Sequence, residues 1–171
     1  MNTPELLKEW LVGIRIAHIQ QFLASNHSEK MHRRLGIPTV VLSTIVGTSV
    51  FASLDANPQT WVKITVGLLS VASAVLAALQ TFMGYAEKGN EYKAAAIRYG
   101  KLRRELEQYI STRTGDSSAD DAFLKDYRSK WDETDSTAPT TSQSFHDAAR
   151  AQVARSRAAE LAQPPAVTPG R

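Results

Sequence analysis

Apolar and polar positions are distributed along this chain in two distinct ways. Across Leu35 to Leu54 and Ile64 to Ala86 no charged residue occurs over 20 and 23 positions, whereas outside them apolar residues recur at three- and four-residue steps. Uncharged runs of this length predict helices of about 30 Å or more at roughly 1.5 Å per residue, the thickness of a hydrocarbon core. Between the runs, Asp55 to Thr60 supplies turn residues, and Trp61 stands where an amphipathic ring favours a headgroup boundary.

The flanking pattern is amphipathic helix. Thr3-Pro4-Glu5 reads as a helix start, and Leu7, Leu11, Ile14, His18 and Phe22 follow as a stripe widened by Leu6 and Trp10. Gly36-Ile37-Pro38 predicts a break before the first span, because proline disfavours helical dihedrals in the residue ahead of it. After Ala86 the stripe Tyr92, Ala95, Ala96, Tyr99, Leu102, Leu106, Tyr109 and Ile110 carries on to Thr112. The second span and this segment therefore predict one helix of about fifty residues, weakened at Gly84, Gly89 and Gly100, with room for a kink near the membrane exit. On its wet face Lys101 with Glu105 and Arg103 with Glu107 have ion-pair spacing. A turn at Thr114 to Ser118 precedes a short helix over 120–132, which sets Phe123, Tyr127 and Trp131 on one face. Residues 135–141 read as linker, 142–162 as an Ala-rich helix burying Phe145, Val153 and Leu161, and 163–171 as a Pro-rich tail.

Together these elements predict an all-α membrane protein: a two-helix transmembrane hairpin with N- and C-terminal cytoplasmic helices forming a bundle. An amphipathic helix occupies 1–34, and the hairpin occupies 35–86 with spans at about 35–54 and 62–86. A helical extension follows over 87–135, then linker, weak helix and tail over 136–171. The N-terminal stripe packs against the post-membrane stripe, and the Phe123/Trp131 helix closes the bundle. A soluble bundle that buries both apolar helices on every face is the alternative, supported by their Ser, Thr, Gly and Ala content and a mean hydropathy of -0.26. The other helices are too polar to hide two such segments.

Charge orients the hairpin. Lys30, His32, Arg33 and Arg34 precede the first span, and Lys88, Lys93, Arg98, Lys101, Arg103 and Arg104 follow the second, against Lys63 and Asp55 between them. By the positive-inside rule both termini are cytoplasmic, with Arg33, Arg34 and Lys88 as the membrane-flank charges. Thirty-four residues precede the first span, which does not resemble a cleavable signal peptide. The absence of cysteine excludes disulfides, Cys-based metal sites and thiol nucleophiles. A net charge of +3 is too mild to call for nucleic acid as a partner.

Candidate chemistry is sparse. No phosphate loop, metal-spaced histidine pair or nucleophile elbow occurs, so neither enzyme activity nor a cofactor is expected. His18 in an apolar stripe reads as a core histidine. The spans are more informative. Small residues recur at four-residue steps in Ser43/Gly47, Thr44/Thr48/Ala52 and Ser70/Ala74/Ala78, a spacing that lets helix backbones approach closely in lipid. Ser70, Ser73, Ala77, Gln80 and Gly84 share a further face suited either to helix packing or to a wet lumen. One hairpin cannot enclose a lumen, so a pore requires a homo-oligomer.

The runs Arg34 to Thr48, Gly67 to Ser70, Leu79 to Phe82 and Tyr99 to Glu105 resemble the SLATT family, two-transmembrane effector domains associated with bacterial nucleotide-signalling conflict systems. The likeness covers about residues 5 to 150. It implies a membrane effector of anti-phage defence that oligomerises and permeabilises the bacterial inner membrane when infection is sensed. The implied signal is a cyclic or modified nucleotide or a defence-system partner protein. No binding residues transfer with it. A non-conducting membrane-anchored scaffold for a cytoplasmic partner is the competing reading. A constitutive ion channel is disfavoured, because neither span carries an ionisable residue.

Overall fold

The computed structural model describes residues 3–53, 59–113 and 117–162. They form five helices, α1 (Thr3–Ser53), α2 (Thr60–Met83), α3 (Tyr85–Thr112), α4 (Ser117–Thr137) and α5 (Gln143–Ala162), and no strand is present among the described residues. The all-helical class follows from the sequence as expected. The turn residues expected at 55–58 and 114–116 and the Pro-rich tail at 163–171 lie outside the described residues.

Two helix boundaries reverse the expectation. α1 runs unbroken through Gly36-Ile37-Pro38, with Pro38 inside the helix. Proline's fixed φ is itself helical, but inside the helix Pro38 loses the hydrogen bond to the Arg34 carbonyl and its ring crowds that oxygen, a cost of about 3 kcal/mol that α1 nonetheless bears. The break falls instead at Gly84, with φ 58° and ψ 31°. That left-handed conformation ends α2 at Met83, three residues short of the expected span, and separates it from α3. The single helix expected from Ile64 to Thr112 is therefore two. The expected helix over 120–132 is longer, Ser117–Thr137, and absorbs the start of the linker.

The chain divides into two compact units, residues 1–25 with 91–171, and residues 26–90. In the first, Leu7 and Ile14 of α1, Ala95, Tyr99, Leu102 and Leu106 of α3, and Tyr127 of α4 form the buried core. The three amphipathic stripes meet as the pattern predicts. Aromatic rings fill the α1–α4 contact: Trp10 stacks on Tyr127 at 5.9 Å and meets Trp131 edge-on at 5.9 Å, while Phe123 lies 5.5 Å from Tyr127. The Trp131 ring presses on Gly13, where an added Cβ would come within 3.2 Å of it. The phenols packed in this core find acceptors: buried Tyr127 donates to the Leu102 carbonyl at 3.1 Å and buried Tyr99 to Asp135 at 2.6 Å, and half-buried Tyr109 donates to Asp120 at 2.6 Å.

The α1 stripe departs from its apolar reading beyond Ile14. Phe22 is 52% exposed, whereas Gln21, Ala24 and Ser25 are buried. The Gln21 amide donates to the Pro139 carbonyl at 3.0 Å, and the Tyr92 hydroxyl donates to the Thr140 carbonyl at 3.2 Å, so the α4–α5 connection is fastened to α1 and α3. α5 buries Ala149 and Val153, but Leu161, expected to be buried, is 88% exposed. The Lys101–Glu105 pair does not form. The Glu105 carboxylate instead meets Lys130 of α4 at 2.6 Å, while Arg103 and Glu107 approach to 3.7 Å as their spacing suggests.

In the second unit the C-terminal half of α1 and α2 pack together. Ser43 and Ser73 share a hydrogen bond of 2.7 Å, and Gly36 faces Gln80. Stepping back from Ser43 to Gly36 moves forward from Ser73 to Gln80, so the two helices run antiparallel.

Candidate functional site

The antiparallel pair carries most of the sequence-derived candidates. On α2 the least exposed positions are Val62, Val66, Leu69, Ser73, Leu76 and Gln80, and on the facing stretch of α1, from residue 35 on, Leu35, Gly36, Thr39, Leu42, Val46, Gly47 and Ser49 are half-buried. The α2 series advances in alternating steps of four and three, as do Leu35, Thr39, Leu42, Val46 and Ser49 within the α1 set, the spacing of a knobs-into-holes seam. Small residues at Ser43 and Ser73 bring the backbones close enough for their hydroxyls to bond. Gly36 does the same at the Gln80 end, where an added Cβ would stand 3.3 Å from the amide nitrogen.

The seam divides the predicted candidates into two groups. Ser43, Ser73 and Gln80 face the partner helix. Ser70, Ala74 and Ala77 are exposed, and Thr48 is exposed on α1. A Cβ on Gly47 would meet nothing within 4 Å among the described residues. Ser70, Ser73, Ala77 and Gln80, expected to share one face, are thus split by a packing stripe of period 3.5. The seam-forming Leu35, Thr39, Leu42, Val66, Leu69 and Leu76 were missed. Their heptad spacing was visible but hidden among apolar neighbours.

Several hydroxyls on these helices are satisfied within their own helix. Thr44 donates to the Val40 carbonyl at 2.8 Å, Thr48 to Thr44 at 3.0 Å, Ser49 to Ile45 at 2.7 Å and Thr65 to Trp61 at 2.9 Å. A hydroxyl bonded one turn back needs no water. Around these residues lies a large apolar surface: Val40 is 66% exposed, Leu68 67% and Phe82 85%.

The flank charges stand free of the helix pair. Arg33 lies 3.8 Å from Glu29 one turn back, both well exposed, and Arg34 and Lys88 are exposed. With Lys30, Ile37 and Pro38, Arg33 and Arg34 line a shallow groove on α1. His32, Gln80, Gly84 and Glu87 border a second groove where α2 ends.

In the first unit, His18, Arg15, Arg103, Glu107, Gln152 and Glu160 line a cleft of about 420 Å³ between α1, α3 and α5. Arg15 donates twice to one Glu107 oxygen, at 3.0 and 3.3 Å, and lies 3.8 Å from Glu160. Burial lowers the His18 pKa, Arg103 and Arg104 lower it further, and Glu107 opposes them. Its Nδ1 is buried without a hydrogen-bond partner. His18 is a packed imidazole held against Gly100, in surroundings that disfavour its charged form. Among the described residues no three His, Cys, Asp or Glu side chains gather as a metal site.

Residues 21–104 match the model of a family of proteins of unknown function, DUF4231. The match spans the seam, both groove regions and α2 entire, and stops short of α4 and α5. No curated protein and no solved structure matches the chain.

Proposed function

We propose that this chain is an integral protein of the bacterial inner membrane. Its helix pair crosses the bilayer as a hairpin with both termini cytoplasmic, and oligomers of it permeabilise the membrane in anti-phage defence. One observation carries the membrane reading. Among the described residues, the stretch Thr60–Thr112 contains one segment long and apolar enough to span, and only 6% of its most apolar window is buried. A core helix of a soluble bundle would be buried on most faces, so this surface calls for lipid or further apolar helices. The back-bonded hydroxyls fit the same solvent, and Trp61, 65% exposed at the start of α2, suits a headgroup boundary.

The effector role rests on the resemblance to SLATT domains, and the exposed Ser70, Ala74 and Ala77 offer a close-packing face to a second copy. The scaffold reading draws support from a different observation. Ser73 and Gln80, the groups most suited to line a water-filled path, face α1 instead. Conduction therefore requires an oligomer whose lumen uses Ser70 and Ala77, or a rearranged seam.

Carbonate washing of membranes, with single cysteines at Gln59 and Ser118, tests the topology in a chain that has no cysteine of its own. An integral protein labelled from outside only at 59 is expected, and soluble release overturns the membrane reading. Propidium iodide entry and membrane depolarisation during infection test the effector role. A membrane that keeps its potential while phage is nonetheless blocked favours the scaffold.

A further inference from the structure

The groove at Lys30, Arg33 and Arg34 has a continuation that positive-inside charge alone does not require. At 100° per residue, Lys30, Arg33, Arg34, Ile37, Val41 and Ile45 fall on one side of α1, and all six are exposed. Ile37 is 63% exposed, Val41 51% and Ile45 44%. The stripe is cationic at one end and wholly apolar at the other. From Arg34 to Ile45 it rises about 16 Å, half of a hydrocarbon core of about 30 Å, which is one leaflet. Lys30 and Arg34 have no carboxylate within ion-pair distance among the described residues, and Arg33 has only the exposed Glu29 at 3.8 Å. Cationic donors with spare capacity at headgroup height, continued by one leaflet of apolar side chains, match one molecule in charge and length.

We infer that this stripe of α1 binds an anionic phospholipid, its phosphate held by Lys30, Arg33 and Arg34 and an acyl chain lying along Ile37, Val41 and Ile45. The inference rests on the membrane-spanning reading and adds to it a preferred lipid and a place. Arginine supplies planar paired donors to phosphate oxygens, and lysine a mobile point charge. Pro38, inside the groove, contributes no N–H and presents only an apolar ring.

Native mass spectrometry of the purified full-length protein decides the matter. The micelles carry equal phosphatidylglycerol and phosphatidylethanolamine with identical acyl chains. Wild type is expected to retain phosphatidylglycerol preferentially. Arg34→Gln is expected to reduce that preference about fivefold, and Lys30→Gln/Arg33→Gln/Arg34→Gln about a hundredfold, as roughly fivefold per basic residue implies. Lys88→Gln, which removes an exposed cation on α3, should leave it unchanged. Detergent removes any effect of inverted topology, and these exposed side chains are not part of the packed seam. Equal retention of both lipids by wild type, or an undiminished preference in the triple variant, overturns the lipid site. Displacement of the lipid by soluble glycerophosphoglycerol at equal concentration would show that phosphate alone is read and would likewise overturn it. Release of wild type by carbonate washing overturns the membrane reading and the lipid site together. An integral protein without lipid preference overturns the lipid site alone.

Discussion

Gly84→Ala isolates the helix break between α2 and α3. A Cβ at residue 84 meets nothing within 4 Å, so the substitution acts through the backbone alone. Two terms add. An L-residue in the left-handed region costs about 1–2 kcal/mol, and alanine favours continuous helix over glycine by about 1 kcal/mol. The swing of about 2–3 kcal/mol shifts the ratio of straight to broken chain roughly 30- to 150-fold, since each 1.4 kcal/mol is tenfold. Spin labels at Ala72Cys and Lys88Cys report it by pulsed electron resonance in the otherwise cysteine-free protein. A continuous helix separates those Cα atoms by about 24 Å at roughly 1.5 Å per residue, and a left-handed residue between them bends the path and shortens it. Gly84→Ala is expected to move the distribution toward the straight value. Gly84→Asn, which tolerates the left-handed region better, should move it less. Identical distributions for wild type and Gly84→Ala would refute the argument, because the break would then owe nothing to glycine.

Two further perturbations address the first unit. Tyr127 is fully buried beneath Trp10, and Tyr127→Ala should destabilise the unit by about 3–5 kcal/mol in guanidinium unfolding followed by near-ultraviolet dichroism, while Tyr127→Phe should cost only about 1 kcal/mol for the bond to Leu102. His18, whose pKa lies below its ordinary 6.5 because burial disfavours the imidazolium, binds fewer protons folded than unfolded in the window beneath 6.5. Its stabilising contribution is therefore full above that value and declines as pH falls through it, and His18→Gln should flatten the pH dependence of stability there.

The stripe Tyr99, Leu102 and Leu106 could be read from the sequence, as could its meeting with Leu7, Ile14 and Tyr127, because amphipathic periodicity is a local signal and three unpartnered faces have few ways to be buried. The uncharged length of α2 was equally plain. The exposure of its apolar window was also anticipated, on the ground that the remaining helices are too polar to cover it, and only 6% of that window is buried.

Sequence by itself determined the helical class, the bundle stripes and the placement of charge beside the apolar runs, all of which depend on spacing along one helix. Tertiary structure alone decided the continuity of α1 through Pro38 and the break at Gly84. Proline is compatible with helical φ, and glycine enters right- and left-handed conformations with nearly equal ease, so local preference leaves both open. It also decided that Ser73 and Gln80 turn toward α1 while Ser70 and Ala77 remain exposed, because the seam is set by which side of each helix its partner occupies. Gln21 and Phe22 carry the same lesson: the Pro139 carbonyl offers the amide a buried partner, and the helix can turn only one of the two adjacent side chains toward it.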